Sequence, residues 1–198
     1  NTGGMGAYSP SLLINKRIEN KVISKIIIPT LDGMKSMGLE YKGILYAGLM
    51  IENDEPKLIE YNIRFGDPEC QVIMMRLKND LLDLILSVIN NNINQKKILW
   101  DKKPCITIVA SNKGYPENYN KNTEIKNIDE ISEDEDVRLF HAGTEKNQSK
   151  KIIATGGRVL NSTVKAKSLK IARSKSLKLL DKINWVNKYY RRDIGYKV

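Results

Sequence analysis

The chain has 198 residues, 41% of them hydrophobic and 28% charged, which allows one domain or two small ones around a buried core and argues against global disorder. A single histidine and two cysteines exclude a disulfide scaffold, an all-cysteine zinc site and multi-histidine metal sites, and suit a reducing, cytoplasmic setting. The net charge of +10 sits late in the chain: residues 1–100 carry 12 basic and 11 acidic groups, whereas residues 146–198 carry 15 basic groups against Asp181 and Asp193.

The chain opens at Asn1, without Met, inside a glycine-rich phrase, and reads as a piece of a longer protein. It holds no basic-then-apolar signal segment and no apolar run near the ~20 residues of a membrane helix, so no membrane partner is expected. Helical spacing of Ile14, Ile18, Val22 and Ile26 predicts a helix over 11–38, kinked or divided by Pro29. Residues 41–52 are almost wholly apolar and read as a strand buried on both faces. Residues 57–65 alternate, and with the turn Asn53-Asp54-Glu55-Pro56 between them the two segments predict a β-hairpin.

Gly66-Asp67-Pro68-Glu69 reads as a helix start, with Asp67 as cap, Pro68 at the first helical position and Glu69 at the positive end of the dipole. Met74, Leu77, Leu81, Leu84, Ile85 and Val88 follow as one apolar stripe. The polar run 90–103 reads as a linker, with a domain boundary near it. Beyond it, 105–110, 137–141, 152–154 and 158–164 predict short strands, and Leu169, Ala172, Leu179, Leu180 and Ile183 mark one more helix. The predicted class is α+β. The basic excess of the last third fits either a nucleic-acid-binding module or a lysine-coated helix surface; it lacks interleaved aromatics and any RNA-binding signature, which argues against nucleic acid.

The segment richest in chemistry is Leu58-Ile59-Glu60-Tyr61-Asn62-Ile63-Arg64-Phe65. In a strand alternate side chains share a face, so Ile59, Tyr61, Ile63 and Phe65 are expected to bury together while Glu60, Asn62 and Arg64 project from the other side. A carboxylate, an amide oxygen and a guanidinium on one face suit a magnesium–polyphosphate group, because magnesium takes oxygen ligands and often only one or two carboxylates beside phosphates. The arginine can pair phosphoryl oxygens as charge develops. From alternation alone, a solvated polar face is the other reading.

Arg64-Phe65-Gly66-Asp67-Pro68-Glu69-Cys70-Gln71 resembles the RFGDPE-x-Q signature of phosphoribosylamine–glycine ligases, also called glycinamide ribonucleotide synthetases. The opening Asn1-Thr2-Gly3-Gly4-Met5-Gly6-Ala7-Tyr8-Ser9-Pro10 is similar to a second phrase of that family. Tyr46-Ala47-Gly48-Leu49-Met50, Phe140-His141-Ala142-Gly143-Thr144, Gly156-Gly157-Arg158-Val159-Leu160 and Arg192-Asp193-Ile194-Gly195-Tyr196 match others in order. The resemblance covers essentially the whole chain. It implies the C-terminal part of an ATP-grasp domain over 1–100, followed over 101–198 by a small α+β C-terminal domain with an antiparallel sheet. The family's N-terminal part, with the adenine pocket, would precede Asn1 and act as partner, so that the piece alone is not expected to be active.

The resemblance further implies ATP as cofactor with Mg2+ or Mn2+, held by Glu60 and Asn62, and Arg64 as a phosphate-facing catalytic residue. The implied substrates are glycine and 5-phosphoribosylamine. Glycine's carboxylate attacks the γ-phosphate, ADP leaves, and the amine then displaces phosphate from glycyl phosphate, giving glycinamide ribonucleotide for purine biosynthesis. Asn1, Thr2, Gly3, Gly4, Gly6, Asp67 and Arg158 are the implied substrate- or phosphate-binding residues. Residues 46–51 offer no second acidic metal ligand, and Glu52 lies at the hairpin end. On the residues alone, Gly3, Gly4 and Gly6 read equally as an anion cradle or as a flexible loop, and Gly156-Gly157-Arg158 as a turn entering a strand. His141 reads as packing. A different ATP-grasp ligase or carboxylase fits the Glu60-Asn62-Arg64 strand alone, and the two longer phrases discriminate against it.

Overall fold

In chain order the elements are β1 (Gly6–Ser9), α1 (Lys16–Val22), a π-helical turn (Ile23–Ile27), α2 (Ile28–Ser36), β2 (Tyr46–Glu52), β3 (Glu55–Asn62), α3 (Glu69–Arg76) and α4 (Leu81–Ile89). They continue with β4 (Cys105–Asn112), β5 (Thr123–Glu124), β6 (Val137–His141), β7 (Thr144–Lys146), β8 (Ile152–Ala154), β9 (Arg158–Lys165), α5 (Leu169–Lys182) and β10 (Lys188–Tyr190). The structure is a computed structural model and describes residues 3–197. It divides into a first unit of Asn1–Ser9, Asp67–Arg76 and Asp101–Val198, and a second of Pro10–Gly66 and Leu77–Trp100.

In the second unit Asn15 caps α1, its Oδ1 accepting from the Ile18 N–H at 3.0 Å. Pro29 divides the predicted helix: it has no N–H, and its ring opposes the carbonyl one turn back. The preceding turn widens to a π-helix, with the Ile28 N–H reaching back to the Ile23 carbonyl. At this break Thr30 Oγ1 donates to the Ile26 carbonyl at 2.7 Å and Tyr61 Oη donates to it at 3.2 Å, which fastens β3 to the helices. The hairpin turns on Asn53 and Asp54, both left-handed at φ 51° and 60°, as a two-residue turn of the twist-matched kind requires.

Four expectations for this region change. A two-stranded sheet with α1 on one side cannot bury both faces of β2, and Met50 is exposed. Gly48 pairs with Glu60 and Leu49 with Leu58, so Ile59 is the extra residue of a β-bulge, and both Ile59 and Ile63 are exposed rather than buried. The single stripe from Met74 to Val88 is two helices: Asp80 Oδ1 accepts from the Asp83 N–H at 3.0 Å and starts α4 afresh. Asn79 accepts from the Leu99 N–H at 2.6 Å and donates to the Lys97 carbonyl at 3.1 Å, so the run read as a linker packs back onto the chain.

The first unit is built on β4, buried along its whole length. It pairs antiparallel with β9 on one side, and β6 pairs with β9 beyond. On the other side β1 runs along Cys105–Ile108 and β10 along Ala110–Asn112. Strands β5, β8 and β7 form a small second sheet. Helix α5, capped by Ser168, lays Leu169, Ala172 and Leu180 on a core that includes Ile106, Ile108, Leu160 and Val164. Ser162 and Ser176, both buried, exchange hydrogen bonds at 2.9 and 3.2 Å across the contact between α5 and β9. Buried Lys165 meets Asp101 at 2.9 Å and Asp136 at 3.6 Å. Among the described residues no helix is long and apolar enough to cross a membrane.

The end of β4 carries the tightest polar cluster. Asn112 Oδ1 accepts from the Trp185 indole N–H at 2.7 Å, its Nδ2 donates to the Gly156 carbonyl at 2.8 Å, and its backbone N–H donates to the Gly157 carbonyl at 2.8 Å. Asn112→Ala leaves a buried indole N–H and a loop carbonyl without partners, and is expected to lower stability by about 2–4 kcal/mol. Urea unfolding followed by circular dichroism checks this, and an unchanged midpoint would refute it.

Candidate functional site

In the second unit the period-two placement of β3 puts Glu60 and Asn62 on one face, where Asn62 Nδ2 donates to Glu60 Oε1 at 3.0 Å. That contact uses the amide nitrogen and leaves the amide oxygen, with the remaining carboxylate oxygen, as donors for a cation. A Cβ at Gly48, the pairing partner of Glu60, would stand 3.1 Å from Glu60 Cγ. The missing side chain of Gly48 therefore gives Glu60 its room, and the adjacent bulge at Ile59 sets the direction in which the strand presents it. Gly48 stands in the Tyr46–Met50 phrase without an assigned role; a glycine inside an apolar strand is the local signal of such a close approach. Arg64 is exposed, with Nη1 donating to the Phe65 carbonyl at 3.0 Å.

Two oxygen donors fit magnesium or manganese only where phosphate oxygens or waters complete the shell. Among the described residues no three His, Cys, Asp or Glu side chains gather to hold a cation by themselves. The pair thus suits a metal that arrives with a polyphosphate.

In the first unit Gly4, Asp67 and Arg158 come together. Arg158 Nη2 pairs with Asp67 Oδ2 at 2.6 Å, and its Nη1 donates to the Asp67 carbonyl at 2.9 Å and to the Gly4 carbonyl at 3.2 Å. Gly4 is left-handed at φ +74°, and a Cβ there would lie 2.7 Å from Arg158 Nη1. The guanidinium is a strut between the glycine turn and the start of α3. Asp67 is not the backbone cap foreseen for α3, which starts at Glu69; its carboxylate accepts from Gln71 Nε2 at 3.3 Å and from Arg158.

Gly6 lies inside β1, where a Cβ would meet Ile194 Cγ2 at 2.7 Å and the Thr107 carbonyl at 2.9 Å. Gly3 has open space around it. Asn1 and Thr2 lie outside the described residues. His141 is exposed rather than packed, its Nδ1 2.8 Å from Thr144 Oγ1. Burial pushes the Cys105 thiol up to about 12, and burial together with the Asp67 charge raises that of Cys70, so neither is a ready nucleophile. Lys170, Lys175, Lys178 and Lys182 line the exposed side of α5, opposite its buried stripe, which accounts for part of the basic excess as helix coating.

The fold is that of part of an ATP-grasp protein. The family model described as "Phosphoribosylglycinamide synthetase, ATP-grasp (A) domain" matches residues 1–70, and that described as "Phosphoribosylglycinamide synthetase, C domain" matches residues 105–197. The chain belongs to the phosphoribosylglycinamide synthetase family, as an α+β piece made of the C-terminal part of the ATP-grasp domain and a C-terminal domain with an antiparallel sheet. It is 46% identical over its full length to the phosphoribosylamine–glycine ligase of Vibrio parahaemolyticus and 44% identical to the chloroplastic one of Arabidopsis thaliana, covering 46% and 38% of those proteins. The crystal structure of phosphoribosylamine–glycine ligase from Thermotoga maritima superposes with a TM-score of 0.81 at 31% identity, over 98% of this chain and 46% of that one. The chain thus spans less than half the length of these relatives.

Arg158→Lys keeps the charge but cannot span the Asp67 carboxylate and two carbonyls in a fixed fork. With Asp67 half exposed, the expected loss of stability is modest, about 1 kcal/mol. Thermal melting checks this, and a variant as stable as the parent would show that the strut carries no stability.

Proposed function

We propose that this chain is the C-terminal part of a ligase that joins glycine to 5-phosphoribosylamine, converting ATP to ADP and phosphate and forming glycinamide ribonucleotide. The observation that carries the reading is the Glu60–Asn62 pair on β3, re-aimed by the bulge at Ile59 and given room by Gly48. In this reading residues 1–100 belong to the ATP-grasp domain and 101–198 to the C-terminal domain.

Glu60 and Asn62 would hold magnesium or manganese beside the nucleotide phosphates. When bound, that cation supplies neutralisation of the charge on the phosphoryl oxygens. Arg64 supplies a further positive charge toward the transferred phosphoryl group. Asn1, Thr2, Gly3 and Gly4 take part in substrate binding, and Asp67 and Arg158 hold the turn at Gly4. Gly6 serves by letting β1 close on its neighbours. The work asked of the site is positioning and charge neutralisation, which needs no cysteine or histidine nucleophile.

The test is ADP release by the full-length protein, with glycine and phosphoribosylamine supplied separately and together. Release is expected only when both are present. Glu60→Gln is expected to lower turnover by about 10²-fold or more with an unchanged melting temperature. Release without glycine, or full activity in Glu60→Gln, would overturn the reading.

A further inference from the structure

Helix α5 and the segment ahead of β6 carry opposite charge side by side in the first unit. On α5 Ile171, Lys175, Lys178 and Lys182 recur at i, i+4, i+7 and i+11, so they share one exposed stripe about 16 Å long. Residues 124–136 hold seven acidic side chains against one basic, Lys126. Glu124 is taken by Lys151 at 2.9 Å and Asp136 by Lys103 at 2.5 Å. Asp129, Glu130 and Glu133 are exposed and form no ion pair among the described residues, and neither do the three lysines of the stripe.

The chain itself sets the two patches next to each other. Lys126 and Asn184 exchange backbone hydrogen bonds at 2.7 and 3.1 Å, and Asn127 Nδ2 donates to the Lys182 carbonyl at 3.2 Å. The acidic segment therefore leaves from the C-terminal end of α5. Beyond it lies a cleft of about 410 Å3, walled by Ile128, Ile131, Leu139 and Ile152 and carrying the carboxylates of Asp129 and Glu133. Glu133 is oriented there: its Oε1 accepts from the Leu139 N–H at 2.6 Å, which leaves Oε2 for a cation. Apolar walls with carboxylates suit an aliphatic stem that ends in an ammonium, which is what a lysine presents.

Lysines three and four apart repel one another along α5. The one carboxylate on the helix, Asp181, is engaged by Arg192 and the Tyr190 hydroxyl. An acidic surface on another molecule relieves that repulsion. A contact between two copies about a two-fold axis needs a patch that complements itself after a half-turn. An acidic cleft beside a basic stripe meets that demand, because the half-turn brings each cleft to the other copy's lysines. A nucleic acid would gain the lysines but meet Asp129, Glu130 and Glu133 next to them, and a protein surface of one sign would complement only half of the patch. We propose that this surface pairs two copies of the chain, the α5 lysines of each copy entering the acidic cleft of the other. The proposal is independent of the ligase reading, since the Glu60–Asn62 strand takes no part in it.

The test is sedimentation velocity of the full-length protein and of two charge-reversed variants. One variant carries Lys175→Glu, Lys178→Glu and Lys182→Glu; the other carries Asp129→Lys and Glu130→Lys. The parent is expected to dimerise at low salt, its dissociation constant rising at least about tenfold between about 50 and about 500 mM salt. Each variant alone is expected to be monomeric, because the half-turn then opposes like charges. Their equimolar mixture is expected to dimerise again, since every contact between the unlike variants pairs opposite charges. Circular dichroism checks that the variants fold. If a reversal variant does not fold, the triple change Lys175→Gln, Lys178→Gln and Lys182→Gln carries the test and is expected to weaken the dimer at least about tenfold. A parent that stays monomeric at low salt up to about 100 μM, folded variants that dimerise like the parent, or a mixture that stays monomeric overturns the proposal. Binding of a short DNA or RNA duplex by a monomeric parent, lost in the lysine variant, gives α5 to nucleic acid and overturns it likewise.

Discussion

Strand β4 constrains the first unit more than any other element. It is buried from Cys105 to Asn112, so every backbone group along it needs a partner inside the protein. Strand β9 pairs with one side from Cys105 to Ser111, with an irregularity after Ala110, and the Gly157 carbonyl takes the Asn112 N–H. The other side is shared by β1 and β10, which come from opposite ends of the chain, with Met5 filling the gap at Val109. Polar side chains on this strand are also paired: Thr107 Oγ1 lies 2.7 Å from Thr163 Oγ1, and Asn112 holds both Trp185 and the 156–157 loop. Satisfying β4 thus fixes where β1 and β10 run.

Several phrases that carry the family resemblance turn out to be steric necessities of this arrangement. Gly143 and Gly156 approach so closely that a Cβ on Gly143 would lie 2.4 Å from Gly156 Cα. The same turn is tied by the Thr155 and Gly156 N–H groups donating to the Gly143 carbonyl at 2.8 and 3.1 Å. A Cβ at Gly157 would strike the Tyr115 ring at 2.2 Å. These glycines join β6 to β7 and β8 to β9 through one backbone contact. Their chemistry is the absence of a side chain, and a signature containing them marks a fold before it marks a ligand.

What was legible in the sequence followed local rules. Strands β4, β6, β8 and β9 and helix α5 are written in runs and periodicity, and Pro29 announces its break. The hidden elements are those whose cause lies far along the chain. Gly6-Ala7-Tyr8-Ser9 has the composition of a loop and becomes β1 only because an edge of β4, a hundred residues on, needs pairing. The apolar stripe from Met74 to Val88 runs through Asn79, and nothing local tells that Asn79 will bond Leu99 and Lys97 instead of continuing a helix. On β3 the shared face of Glu60 and Asn62 was readable from a period of two. The bulge at Ile59 was not, because it depends on the register with β2. The candidate site was therefore legible as residue types on a face, and illegible as to which cations of the basic third serve structure.

The partners of the arginines separate those two uses. Arg76 donates to the Asp101 carbonyl from Nε and Nη2, at 3.2 and 3.0 Å, and to Ser9 Oγ from Nη1, and Arg173 bonds the carbonyls of Ile194 and Arg192; both are committed largely to backbone. Arg158, singled out by its place in a glycine phrase, also spends two of its bonds on main-chain carbonyls and the third on Asp67. A cation committed to carbonyls cannot turn to a ligand without opening the fold. Arg191 pairs with the carboxylate of Asp193, and Arg192 with that of Asp181 and with the Tyr190 hydroxyl; both carboxylates are partly exposed. The Gly156-Gly157-Arg158 segment thus builds a frame, its guanidinium tying the glycine turn to the residues ahead of α3.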